Sequence, residues 1–517
     1  MSPVSDLLTV FGGPGCGKTT RLLSIVEEEL SRGVHPRDVC YTTFTVKAAN
    51  EAKERAVKRF GIDPDEDLKL FSTIHSICFR ALGARKNQVL TDRQYLAILK
   101  ELIGEQVTVS GSYDEDACVW RGPELGDRLI TAEQLSRLTM LPIERFTAEY
   151  AFAPWLGEKW IAALTRYKHR SGRLDFIDML VKALDEDRLP RVKVMIIDEA
   201  QDLSPLQWKV VLRMAESADR VYVAGDDDQA IYNWAGADVR GFLNVAGRGK
   251  IETLPVSHRL PPKVFSACSN ILKRITVRQP KEWRPTEKDG SIRLGDNIEW
   301  TLVKEDLRAD NGSWYFLGRT MFQTGMIEAA MIRAALPFSL NGESMLDRPS
   351  VRAARAWTSL QRGKLISRDD TKSLLHFINA THVNKERADG LVGDKFSASD
   401  LTQLLELRDL DKPWFEVLSI PIRMTNYIRA LSRKKISLDT IPWINVSTIH
   451  RAKGGEADHV WLDSALTRKI KFRIERRGED ADSEHRVFYV GASRAKRRLL
   501  FAPPGSAVAF GEYPRFF

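Results

Sequence analysis

The sequence predicts an α/β protein with two parallel-sheet domains flanked by helices, only the first of which carries a phosphate-binding loop. Three observations carry that expectation. The apolar, β-prone run Leu7–Phe11 leads into G-x-x-x-x-G-K-T, with Gly12, Gly17, Lys18 and Thr19 in the fixed places, and Arg21–Leu30 follows as a helix. The continuous apolar run Val192–Ile197 ends in Asp198-Glu199-Ala200-Gln201-Asp202, the pattern of a strand buried on both faces. Strand-like runs then resume late in the chain, at Ser313–Leu317, Ile444–Thr448, Val460–Leu462 and Arg498–Phe501. A chain of 517 residues exceeds one hydrophobic core, and its size suggests about three or four domains.

Each element has its own reason. A glycine-rich turn between a strand and a helix lines up backbone N–H groups as an anion nest, and the helix N-terminus adds partial positive charge. Lys18 then reaches the β- and γ-phosphates and Thr19 holds Mg²⁺, so the stretch from Phe11 to Thr20 reads as a nucleoside triphosphate site. Val39–Phe44 is a second β-prone run, and Thr45–Phe60, rich in Ala, Lys and Glu, follows as a helix. Phe71–His75 is a short strand-like run before an apolar helix, and Ser110–Asp116 and Arg121–Asp127 read as loops. Between Ser136 and His169 the text is helical, and its rings (Phe146, Tyr150, Phe152, Trp155, Trp160, Tyr167) read first as core.

Ligands of open α/β sheets gather at strand C-terminal ends. Asp198 and Glu199 therefore fall where phosphates held by Lys18 would lie. One carboxylate suits Mg²⁺ and the next suits activation of the attacking water. The strand Arg220–Ala224 runs into Gly225-Asp226-Asp227-Asp228-Gln229, where Gln229 can sense a γ-phosphate or place the water. Tyr232 and Trp234 follow at once. Spacing leaves them open either as base-stacking rings or as buried packing.

Composition narrows the classes. Hydrophobic content of 43% and charged content of 28% are those of a globular protein, and the net charge of +9 suits a polyanionic partner. The five cysteines are scattered with no C-x-x-C pair, so neither a zinc ribbon nor a disulfide framework is expected. No basic segment followed by a long apolar core opens the chain, and no apolar run approaches ~18 residues, so neither a signal peptide nor a membrane span is expected.

Taken in order, the blocks GGPGCGKTT, TTFTVKAANEAKERA, STIHS, LDFIDML, IIDEAQDLSPLQ, AGDDDQAIYNWAGAD, SHR, FLGRT, VSTIHRAKGGEADHV and FYVGASRAKRRL resemble superfamily 1 DNA helicases of the UvrD/Rep/PcrA branch. The resemblance implies two RecA-like P-loop NTPase-type domains, each with a mostly helical accessory insertion. The division expected is 1–79 and 175–256 for the first core domain around an insertion at 80–174. The second is expected at 257–345 and 441–517 around a shorter insertion at 346–440. It implies ATP and Mg²⁺ as cofactors. ATP contacts fall to Gly12, Gly13, Pro14, Gly15, Cys16, Gly17, Lys18, Thr19 and Thr20, with His258, Gly454 and Glu456. Thr19 and Asp198 would hold Mg²⁺, and Glu199 would be the general base. Gln229 would meet the γ-phosphate, and Arg259 and Arg494 would reach across from the second core domain as arginine fingers. Phe44, His75, Tyr232, Trp234 and His450 would line a single-stranded DNA groove.

By the same likeness the chain would be an ATP-dependent helicase moving 3′→5′, working at junctions of single- and double-stranded DNA in the cytoplasm near the nucleoid. Two other readings stay open: a translocase that strips bound proteins without unwinding duplex, and a nucleotide-switched DNA-binding module. The chain departs from the family pattern in three places. None of Met1–Val10 is Gln, where the family carries a Gln-containing adenine-recognition segment. His258 stands where a Tyr precedes the Arg, and Ala235 stands where an Arg follows the Trp.

Overall fold

The computed structural model describes residues 6–104, 107–114, 119–503 and 511–517. Cys118 and the last two residues of the Ser110–Asp116 stretch lie outside them. The chain forms two compact units. The first holds residues up to Leu260 with Ile271–Glu287 and Arg476–Tyr489; the second holds Pro261–Asn270, Lys288–Glu475 and Val490–Phe517.

In the first unit the strands are β1 (Leu7–Phe11), β2 (Val39–Thr43), β3 (Phe71–Thr73), then β4 (Ser112–Asp114) and β5 (Val119–Arg121), then β6 (Val194–Ile197), β7 (Arg220–Gly225) and β8 (Lys250–Thr253). Six of them form one sheet in the order β3-β2-β6-β7-β1-β8, with every pair parallel. β6 is buried throughout and β7 nearly so, which explains their unbroken apolar text. Parallel registers such as Leu7↔Val221 and Ile197↔Val223 bring the strand C-terminal ends to one edge. The helix Val46–Phe60 begins under the side chain of Thr45, which accepts from the Ala48 N–H, and stops at Gly61, whose φ of 66° suits glycine.

Within the first unit, residues 90–164 have a core of their own, with Tyr95, Leu99, Trp120, Leu129, Ile130, Trp160 and Leu164. The expected loops at 110–116 and 121–127 instead contain an antiparallel hairpin, β4 with β5, and the start of the helix Leu125–Thr139. Tyr113 of this hairpin stacks on Phe176 at 5.0 Å between ring centroids.

Residues 271–287 and 476–489, expected with the second core domain, pack in the first unit. A buried charge cluster explains why. The Lys281 ammonium, 0% exposed, meets Asp226 at 3.1 Å, Asp228 at 2.8 Å and also Asp227. Arg278 forks onto Asp228 with bonds of 2.8 and 2.7 Å, and Arg486 donates to the Asp227 carbonyl at 2.8 Å. Asp482 receives the Thr276 N–H and hydroxyl at 2.9 and 2.8 Å.

The second unit contains β9 (Ser291–Leu294), β10 (Trp314–Gly318), β11 (Ser339–Leu340), β12 (Glu343–Ser344), β13 (Ile366–Ser367), β14 (Lys395–Phe396), β15 (Ile444–Thr448), β16 (Ala457–Asp463) and β17 (Ala495–Ala502). Seven form the sheet β12-β11-β15-β10-β16-β17-β9. Its pairs are parallel except β11 with β12. The helices between 349 and 433 share one core with this sheet: Trp357, Leu360, Tyr427 and Ile428 join Phe316 and Trp461. Among the described residues no helix is long and apolar enough to cross a membrane.

Candidate nucleotide and nucleic-acid sites

The phosphate loop is built as its residues dictate. Gly15 and Gly17 take φ of 72° and 82°, a region costly for any residue with a Cβ. The helix Lys18–Ser31 starts directly after Gly17. Lys18 Nζ donates to the Gly12 carbonyl at 2.8 Å, inside the loop it is expected to serve. Cys16 is buried, and burial pushes its thiol up to about 11, so it stays protonated. Thr20 is exposed on the first turn of the helix.

The Thr19 hydroxyl donates to Asp198 Oδ2 at 3.1 Å, and the Tyr41 hydroxyl donates to the same oxygen at 2.8 Å. Burial, then the neighbouring Glu199 charge, push the Asp198 carboxyl up to about 6. A hydroxyl and a carboxylate converging with no softer ligand is a donor set that fits a hard divalent cation.

Glu199 sits at φ 53°, in the left-handed region, and Gln201 Nε2 donates to its Oε2 at 2.5 Å. The Gln201 amide oxygen accepts from the Asp226 N–H at 3.0 Å. Asp226 Oδ2 in turn accepts from Gln229 Nε2 at 2.6 Å. One chain of hydrogen bonds, buried from Gln201 onward, thus joins Glu199 to Gln229, anchored from the side by Lys281. Gly225 is required here: a Cβ would come within 2.6 Å of Gln201 Oε1. Gln201, Lys281 and Arg278 received no role from the sequence. Gln201 lay within a motif block, whereas the other two carry no local signal.

The segment after β8 closes over the loop. The Ser257 hydroxyl donates to the Pro14 carbonyl at 2.6 Å and the His258 N–H to the Gly15 carbonyl at 2.9 Å. A Cβ on Gly15 would fall 2.5 Å from Arg259 Cβ. Arg259 therefore belongs beside the loop in the first unit, not to the second core domain as expected; the hydrogen bonds of 257 and 258 fix it there. The His258 side chain is exposed. Trp283, on a segment bridged to Val256 through Arg284, lies over Gly13, where a Cβ would meet the indole at 2.7 Å.

Phe44 and Tyr232 meet with ring centroids 5.0 Å apart, and Tyr232 and Trp234 at 6.1 Å. Arg121, from the insertion hairpin, lays its guanidinium 4.0 Å from the Trp234 ring centre. His75 is placed differently. The helix Ile74–Ala81 takes it into the interior, 8% exposed and edge-on to Phe176. Burial holds its imidazole down near 4 against the Asp175 charge, so it is neutral at pH 7.

The unfolded chain takes up this proton near pH 6.5 and the fold only near 4, so stability is present above ~6.5 and lost as pH falls toward 4. The full loss is about 3 kcal/mol. His75→Asn should abolish that part of the acid sensitivity. The check is chemical unfolding of both proteins at about pH 7.5 and about pH 4.5; an equal loss in both would refute it.

In the second unit, His450 follows β15 and is half-buried. Gly454 turns the chain at φ 81°, and Glu456 is exposed, 3.6 Å from Lys496. Gly455 packs so closely on the Tyr315 hydroxyl that a Cβ there would clash. Arg494 is 1% exposed. It donates to the carbonyls of Val490 at 2.9 Å and Gly455 at 3.1 Å, and to the Ser493 hydroxyl at 2.8 Å.

Two family models match: the UvrD/REP helicase N-terminal domain over residues 1–248, and the UvrD-like helicase C-terminal domain over residues 399–503. The chain belongs to the UvrD/Rep/PcrA helicase family. Its sheets are RecA-like P-loop folds of that family. This UvrD-like chain is 25% identical over 408 residues to the ATP-dependent DNA helicase PcrA of Bacillus subtilis, covering 72% of this chain and 53% of PcrA. PcrA of Staphylococcus aureus strain Mu50 is 23% identical over 409 residues, with 72% and 53% covered. The YjcD protein of Bacillus subtilis is 23% identical over 597 residues, spanning 96% of this chain and 77% of YjcD. The UvrD-like chain thus spans about half the length of the PcrA relatives it matches.

Proposed function

We propose that this chain is an ATP-dependent motor that moves 3′→5′ along single-stranded DNA and separates strands at junctions with duplex. The observation that carries the reading is the hydrogen-bonded chain Glu199–Gln201–Asp226–Gln229, which ends three residues before Tyr232 in the aromatic cluster. A change at the γ-phosphate of ATP is then felt at the rings by way of a few covalent and hydrogen bonds.

In this reading Lys18 leaves the Gly12 carbonyl for the phosphates, and the N–H groups of residues 12–20 cradle them. Thr19 and Asp198 would hold Mg²⁺, which when bound neutralises phosphate charge as a Lewis acid. Glu199 takes the proton of the attacking water and Gln229 contacts the γ-phosphate. Arg259 and Arg494 supply cations for the charge that spreads over the phosphoryl oxygens. His258, Gly454 and Glu456 serve the base and ribose side. Phe44, Tyr232, Trp234 and His450 carry the strand; base stacking tolerates any sequence, which a motor needs. His75, buried and neutral, serves that track by shaping it. The four described cysteines are buried thiols, which suits a reducing compartment that contains DNA.

Gln201 has a positioning part in this scheme. Gln201→Ala removes the amide bond to the Glu199 carboxylate and should lower kcat about 10- to 100-fold with KM for ATP nearly unchanged. Gln201→Glu, which repels Glu199, should be no better. A KM effect with normal kcat would remove Gln201 from the scheme.

The reading is tested by strand displacement from matched duplexes carrying a 3′ or a 5′ single-stranded tail, with ATP. Displacement from the 3′-tailed duplex alone is expected. Displacement from the 5′ tail alone would overturn the polarity. Hydrolysis stimulated by DNA without displacement from either would favour a translocase.

A further inference from the structure

We infer that the helix Arg468–Arg476, all but its last residue in the second unit, is an additional contact for single-stranded nucleic acid, with its cations on the phosphates and Phe472 against an unpaired base. The inference rests on the proposed motor function and adds a surface to it. Residues 468–477 read R-K-I-K-F-R-I-E-R-R, six cations against Glu475 alone, an excess of five in a chain whose net charge is +9. The helix is seated by Ile470, which is buried, with Ile474 one turn on and half-buried. Arg468, Lys469, Lys471 and Arg476 are exposed, and Lys471 lies 3.8 Å from Glu475. Phe472 stands among these cations at 57% exposure. Solubility calls for the charges but not for an aromatic ring set between them; phosphates alternating with bases call for both.

Topology gives the surface its place. β15, β10 and β16 are adjacent and parallel, so their C-terminal ends share one edge of the sheet. β15 ends there and leads to His450, the residue of the second unit assigned above to the DNA track. β16 ends at the same edge and leads through Ser464–Thr467 into the basic helix. The charged helix and His450 thus rise from the same edge of one sheet, from strands separated only by β10.

The two kinds of side chain leave different marks on binding. Each phosphate neutralised on a single strand contributes about −0.7 to the slope of log K against log salt, whereas stacking contributes affinity at every salt concentration. The test measures binding of a fluorescent oligo(dT) across a salt series for three proteins. The triple variant Arg468→Ala, Lys469→Ala, Lys471→Ala should flatten the slope by about 2. Phe472→Ala should weaken binding about fivefold or more at all salt concentrations with the slope unchanged. Hydrolysis of ATP without DNA should be as in the parent for both, which verifies folding. A parent-like slope in the triple variant, or an unaltered affinity in Phe472→Ala, would overturn the assignment while leaving the motor reading intact. Failure of the parent itself to bind oligo(dT) would overturn the motor reading, and this surface with it.

Discussion

Lys18→Ala should reduce ATP hydrolysis by about a thousandfold or more while single-strand binding in the absence of nucleotide changes little. The ammonium is the one cation that the strand–loop–helix places inside the phosphate nest, with its present partner the Gly12 carbonyl at 2.8 Å. Phosphoryl transfer is catalysed almost wholly by positioning and charge, and removal of a single well-placed cation or donor in such sites costs two to five orders of magnitude, on the order of the loss expected here. The rings of the proposed track, Phe44, Tyr232 and Trp234, follow β2 and β7, not the loop. Steady-state hydrolysis and oligo(dT) binding on the same preparation check both halves. A folded Lys18→Ala protein that no longer binds DNA would contradict the separation of the two sites.

Lys281→Met should destabilise the first unit by about 3–5 kcal/mol, the cost of breaking a buried ion pair from one side. Asp226, Asp227 and Asp228 have no exposed surface, and their side chains converge on this one ammonium. The surrounding carboxylates hold the Lys281 ammonium well above its usual range, Asp228 foremost, against the burial that alone would lower it. Methionine fills the volume and removes the charge, so three acidic groups must share the Arg278 guanidinium. The sign with pH is diagnostic. In the variant the buried carboxylates take protons more readily folded than unfolded, so its deficit should shrink as pH falls from 7 toward ~5. Urea unfolding of the two proteins across that range is the check. A deficit that grows with acid would show that the cluster is not held by this charge balance. Because Asp226 also carries the Gln229 amide, hydrolysis should fall in the same variant.

Much of this architecture is legible in the sequence where burial writes a continuous apolar text. β1, β6 and β7 are interior strands of the first sheet, and their runs stand out beside the phosphate loop and the Asp198-Glu199 pair. β8 and β9 do not. They are edge strands, Lys250–Thr253 and Ser291–Leu294, with half-exposed residues and charges where an interior strand would be apolar. The β4–β5 hairpin is hidden because each strand is only three residues long, too short to show an alternation. Long-range charge pairing is the other blind spot. Lys281 meets Asp227 across 54 positions and Arg278 meets Asp228 across 50. No local pattern announces either, although together they decide which unit holds residues 271–287. Arg259 was misplaced for the same reason, since the bonds that bind its neighbours to Pro14 and Gly15 span the whole first unit. Likeness placed His75 on a DNA surface, but its helix begins one residue earlier, at Ile74, and carries the ring inward.

The central claim is that nucleotide turnover and the single strand are coupled through the chain from Glu199 to Trp234. The most direct measurement is the rate of ATP hydrolysis with and without saturating oligo(dT), for the parent protein and for Trp234→Ala. Strong stimulation by DNA is expected in the parent and a largely lost stimulation in Trp234→Ala, with hydrolysis in the absence of DNA retained. Hydrolysis that is indifferent to bound DNA in the parent would contradict the coupling.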